Sequence, residues 1–171
     1  MEADVPLDDL LRPRSPPAAV LVLGYGNPSR GDDALGPAFV ERARAAAGHL
    51  EVPGGIEFLT DFQLQVEHAL DLIGRRLAVF VDASADAPAP FACSEVAARR
   101  DDSHSSHALS PSAVLQVYAD VVGGPPPRCR LLAIRGESFE LGADLGTAAT
   151  ANLDAALEFF AREILRQDGG P

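Results

Sequence analysis

The chain has 171 residues, 47% of them hydrophobic, enough for one domain with its own core. Its formal net charge of -11 disfavours nucleic acid and anionic membrane surfaces as partners, since both would repel it. All 14 basic residues are arginine, and no apolar run approaches the roughly 18 residues that a membrane-spanning helix needs. Cys93 and Cys129 are isolated thiols without metal-type spacing and read as core residues. With no signal-peptide pattern either, they point to a reduced, cytoplasmic setting.

Residues 1–17 carry proline and charge without lasting periodicity and read as a flexible extension, with Leu7, Leu10 and Leu11 able to dock as one short turn. Residues 18–167 read as a single α/β domain, and residues 168–171 as a flexible C-terminus. The domain opens with an apolar run, Ala18 to Leu23, short and rich in Val and Leu as in a buried parallel strand. Gly24 and Gly26 follow, then Asn27-Pro28-Ser29-Arg30-Gly31 and the adjacent acids Asp32 and Asp33. A first helix is expected from about Leu35 to Ala47, with Pro37 in its first turn and Phe39, Val40 and Ala43 on its core face. A dinucleotide-binding turn would need a third glycine at position 29, which is Ser29, and no lysine follows as in a P-loop. Two carboxylates beside the turn would also repel a phosphate. A cation fits this loop better.

Ile56 to Leu59 reads as a second strand. The spacing of Val66, Ala69, Leu70 and Ile73 predicts a helix from about Asp61 to Ile73, capped by Thr60 or Asp61. Leu77 to Asp82 is the clearest buried strand, and it ends in an acid. A proline-broken segment leads to a weaker strand around Cys93 to Ala97, then to a polar loop, residues 99–110, that holds His104 and His107. Ser110-Pro111 cap a helix to about Val122, with Val114, Leu115, Tyr118 and Val122 inward. Arg130 to Ile134 makes a fifth strand, and a last helix from about Thr150 to Leu165 carries Leu153, Leu157, Phe160 and Ile164 in one stripe. Strands alternating with helices give a three-layer α/β/α sandwich around a mostly parallel, about five-stranded twisted sheet.

Open sheets of this kind place ligands at the carboxyl ends of their strands. There the sequence puts Asp33 and Asp82, and the polar loop ahead of the third helix supplies His107. Two carboxylates and an imidazole suit nickel, zinc or a similar divalent ion and leave positions open for solvent or substrate. Each residue also has a plainer reading: an acid after a strand often caps a helix, and a histidine in a polar loop is often solvated. Asp32 reads as a cap or as a partner of the following helix dipole. His104 is a rival to His107 by spacing; His49 and His68 read as structural or surface residues, and Glu67 as solvated. There is no Gly-x-Ser-x-Gly elbow and no His-Glu-x-x-His helix, so a metal-centred site is the best remaining option for an enzyme.

The segment Leu23-Gly24-Tyr25-Gly26-Asn27 through Gly31-Asp32-Asp33-Ala34-Leu35-Gly36 resembles the amino-terminal signature of the [NiFe]-hydrogenase maturation proteases. Further elements follow in the family's order: Gln63-Leu64, Phe80-Val81-Asp82-Ala83, a histidine ahead of the third helix, and Gly136-Glu137-Ser138-Phe139. The resemblance spans residues 19–165. It implies a cytoplasmic endopeptidase that removes the C-terminal extension of a hydrogenase large-subunit precursor after nickel insertion. It also implies that Asp33, Asp82 and His107 are the metal-binding and catalytic positions, with nickel supplied by the substrate, or another divalent metal in the isolated protein. Where the family often has Glu at the first of these positions, this chain has Asp33, shorter by a methylene. A function from another class uses the same pocket: a non-catalytic nickel-site checkpoint or chaperone that binds the precursor without cutting it.

Overall fold

In the computed structural model, which describes residues 15–49, 51–100 and 109–164, the first strand β1 is Val20–Tyr25, buried along its whole length. A 3-10 turn at Gly31–Ala34 leads into helix α1, Leu35–Ala46. Strand β2 (Ile56–Asp61) is followed by a four-residue helix α2 (His68–Asp71), strand β3 (Leu77–Ser84) and strand β4 (Phe91–Glu95). Helix α3 (Pro111–Val121), strand β5 (Arg128–Arg135) and helix α4 (Thr147–Phe159) complete the chain, α4 relaxing into a π turn at Phe160–Ile164. The sheet order is β2-β1-β3-β5-β4, with only β4 antiparallel to its neighbour. This is the predicted three-layer α/β/α sandwich.

Both layers follow from the two-residue period of the strands. Val20 and Val22 of β1, with Leu77, Val79 and Val81 of β3, face one core with Phe39 and Val40 of α1 and Leu153 and Phe160 of the last helix. Leu21, Leu23 and Tyr25, with Ala78 and Phe80, face the other core with Leu64, Leu72, Val114, Leu115 and Tyr118. Ser110 caps α3 as expected, its Oγ accepting the Ala113 N–H at 3.1 Å. Cys129 is buried and Cys93 half-buried.

The helix predicted from Asp61 to Ile73 is the main departure. β2 continues to Asp61, and the stretch after it is looped up to the short α2. Side chains take the backbone N–H groups that would begin a helix: Asp61 Oδ1 accepts from Phe62 at 2.6 Å and His68 Nδ1 from Gln65 at 2.8 Å. The inward residues are Leu64, Ala69 and Leu72, whereas Val66 and Leu70 are 52% and 55% exposed. The last helix begins at Thr147, one turn earlier than expected.

Asp32 does not cap the helix that follows it. Its side chain is 1% exposed and reaches across the molecule to the loop after β5. Oδ2 accepts the N–H groups of Glu137 and Ser138 at 2.7 and 3.0 Å, and Oδ1 accepts that of Gly146 at 2.8 Å. Burial alone would raise this carboxyl, but the three backbone donors outweigh it and hold it below the ordinary carboxylate range. An amide cannot accept on both sides, so Asp32→Asn sets an NH₂ against a backbone donor. We expect a loss of roughly 2 kcal/mol at neutral pH by denaturant unfolding. A carboxyl held low stabilises the fold above its unfolded value of 3.8 and stops doing so as pH falls through the lower folded value, so the gap to wild type should narrow there. A gap independent of pH would exclude the clasp as its cause.

Candidate active site

The strand order reverses between β1 and β3: the chain leaves β1 for β2 on one side and crosses back to β3 on the other. The loops that leave the carboxyl ends of these two neighbouring strands therefore run to opposite sides, leaving the crevice in which doubly wound folds take their ligands. Tyr25 ends β1, and Asp82 lies near the end of β3. The parallel register pairs Gly24 with Val81, which sets Tyr25 beside Asp82. Both side chains share the face of Leu23 and Phe80, which turns the Tyr25 hydroxyl toward the Asp82 carboxylate.

Asp33 comes to the same place from the loop after β1. Its Oδ2 accepts the Asn27 N–H at 2.7 Å, which folds the loop back on itself. Gly26 makes this possible, with φ of +140° and a Cβ position that would strike the Asp33 carbonyl. Gly36 lets α1 start directly against β1, because a side chain there would meet the Tyr25 backbone. Neither the 3-10 turn nor α1 has a side-chain cap, so the helix-cap reading of Asp32 and Asp33 does not hold.

Burial pushes the Asp82 carboxyl up to about 6. Hydrogen bonds from Tyr25 and the Ala83 N–H work against that rise, and the nearby charge of Asp33 adds to it. Burial and the facing Asp82 carboxylate also hold the Tyr25 phenol well above its usual range. The structure thus brings together Asp33 and Asp82, two carboxylates that repel each other at one edge of the sheet. Among the described residues neither joins an ion pair, while arginines pair with Glu57, Glu95, Asp120 and Asp154. Such a pair accepts a cation and is a hard, oxygen-rich part of a divalent-ion site.

The third candidate, His107, and its rival His104 lie outside the described residues. Among the described residues, no group of three or more His, Cys, Asp or Glu is placed to hold a metal ion. His49 is exposed, Glu67 is exposed, and His68 is buried. His68 lies 3.4 Å from Asp61 Oδ2 through Nε2, so its place is structural. A cleft of about 340 Å³, lined by Gly26, Pro28, Pro37, Thr60, Asp61 and Phe62, opens at the carboxyl ends of β1 and β2. The Phe62 side chain is 67% exposed at its rim. Tyr25 escaped the sequence reading, which used it only as part of a motif. Its parity with Leu21 and Leu23 was visible, but the neighbour it meets depends on the β1–β3 register.

The protein superimposes on the [NiFe] hydrogenase maturation protease HycI from Thermococcus kodakarensis KOD1 with a TM-score of 0.67, at 22% identity over 87% of this chain and 93% of that one. It matches the hydrogenase maturating endopeptidase HybD from E. coli with a TM-score of 0.65, at 25% identity over 88% of this chain and 93% of that one. The fold is that of the [NiFe]-hydrogenase maturation protease family. A hydrogenase 2 maturation peptidase from Thaumarchaeota archaeon SCGC_AB-539-E09 matches with a TM-score of 0.57, at 19% identity over 85% of this chain and 97% of that one. No protein-family model matches the sequence, and no curated relative matches it. The maturation-protease resemblance read from ordered motifs and the superposition thus coincide. No helix among the described residues is long and apolar enough to cross a membrane.

The raised Asp82 carboxyl has a measurable consequence in this maturation-protease scaffold. The folded state holds that proton more tightly than the unfolded chain, so stability falls as pH rises from 3.8 through about 6. Asp82→Asn removes the titration and keeps an acceptor for Tyr25. Its Tm should exceed that of wild type at pH 8, and the excess should shrink toward pH 4. A variant less stable than wild type throughout would contradict the burial argument.

Proposed function

We propose that the protein is a peptide hydrolase of hydrogenase maturation, which removes the C-terminal extension of a [NiFe]-hydrogenase large-subunit precursor after nickel insertion. One observation carries the reading: Asp33 and Asp82 converge, without a counter-charge among the described residues, at the switch point of a maturation-protease fold. The substrate supplies the nickel, and this chain supplies ligands to it. Asp33 and Asp82 come from the sheet edge, and His107 comes from the segment shortly ahead of Pro111, the first residue of α3. A neutral imidazole is required for that role.

In this reading the ion is the recognition element. A precursor without nickel leaves the two carboxylates facing each other, and a loaded one relieves their repulsion. Docking through the ion fixes the tail against the sheet edge, and the cleft of Gly26, Pro28, Thr60 and Phe62 takes an extended peptide beside it. Positioning of this kind also gives a carboxylate not engaged by the ion a place from which to act as general base. Work on a cytosolic precursor is compatible with the thiols Cys93 and Cys129 remaining reduced.

The test is to incubate the purified protein with nickel-loaded and nickel-free precursor and follow the precursor mass. We expect a shortened product only from the loaded form. His107→Ala, Asp33→Ala and Asp82→Ala should each slow processing by about a hundredfold or more, with folded spectra retained. Normal tail removal by His107→Ala would shift the ligand role to His104 or remove it. A stable complex with no shortening would make the protein a nickel-site checkpoint instead.

A further inference from the structure

We propose that Tyr25 is a positioning residue of this site: its hydroxyl holds the Asp82 carboxylate so that an open oxygen meets the substrate's ion. The inference rests on the reading of Asp33 and Asp82 as a joint cation site and adds a residue to it. Three features of the structure carry it.

The first is the register. With Gly24 opposite Val81 on parallel strands, Tyr25 and Asp82 are neighbours on one sheet face, within reach of each other. The second is rigidity. Tyr25 is 8% exposed, and its ring belongs to the core of Leu21, Leu23, Leu64 and Tyr118. A packed ring delivers its hydroxyl to a fixed point, whereas a side chain on a loop would not. The third is lone-pair accounting at Asp82. A carboxylate offers about four acceptor sites, so a hydroxyl donating to one of them leaves the others for a cation. Hydrogen-bonded partners of metal-ligating groups act in this way, and their loss costs roughly 10–100-fold in metal affinity.

Tyr25→Phe removes the hydroxyl and keeps the ring, so the core stays filled. The experiment measures the affinity of wild type, Tyr25→Phe and Asp82→Ala for nickel-loaded and nickel-free precursor, with Tm as a fold control. Wild type should bind the loaded form more tightly, and Asp82→Ala should lose that nickel-dependent gain. Tyr25→Phe should lose roughly 10–100-fold of the gain while its affinity for the nickel-free form stays at the wild-type level. A merely structural tyrosine would lower both affinities alike or neither, and either result overturns the proposal. Should Asp82→Ala keep the gain, or wild type show none, the two-carboxylate reading itself fails.

Discussion

The geometry of the crevice depends on one buried carboxylate that never faces it. Asp32 accepts three backbone N–H groups from the loop after β5, and that loop answers with bonds of its own. The Asp32 N–H donates to the Ser138 carbonyl at 2.7 Å, Gly31 donates to Ala143, Gly142 donates to Ser29, and Arg30 Nε reaches the Phe139 carbonyl. Two loops more than 100 residues apart in sequence are thereby laced into one layer over the sheet edge. Asp33 is the next residue along, so its position is inherited from the clasp. A buried charge is tolerable here because backbone donors satisfy it on both oxygens.

That arrangement explains why two adjacent acids have different work. Asp32 is fully occupied and closed to any ligand. Asp33 gives one oxygen to Asn27 and lies near enough to Asp82 for its charge to be felt there. Arginines elsewhere neutralise Glu57, Glu95, Asp120 and Asp154, and β2's edge carbonyl at Phe58 is covered by Arg44. Among the described residues, no arginine is paired with Asp33 or Asp82. The charge left open lies where the loops leaving β1 and β3 part.

The scaffold was legible in the sequence because buried parallel strands are short apolar runs and each was punctuated by glycine, proline or acid. Leu77 to Asp82 and the stripe from Leu153 to Ile164 carry their structural type on their face. The stretch after β2 was misread for a physical reason. Val66, Ala69, Leu70 and Ile73 have helical spacing, but Asp61 and His68 compete for the backbone donors, and the apolar positions that turn inward are Leu64, Ala69 and Leu72. That Asp33 and Asp82 follow or end neighbouring strands was legible from topology alone. The roles of Asp32 and Tyr25 were not, because each is defined by a partner that only register or loop closure brings near.

The resulting site sets binding against stability. A carboxylate buried beside another, with its proton held up to about 6, costs the folded chain free energy at neutral pH. A protein selected only for stability would place Asn or an arginine partner there. Under the proposed function the acid has a use, because a cation arriving with the substrate would turn the repulsion that weakens the free protein into a difference in affinity between loaded and unloaded forms. On that view the same electrostatics performs recognition and inspection.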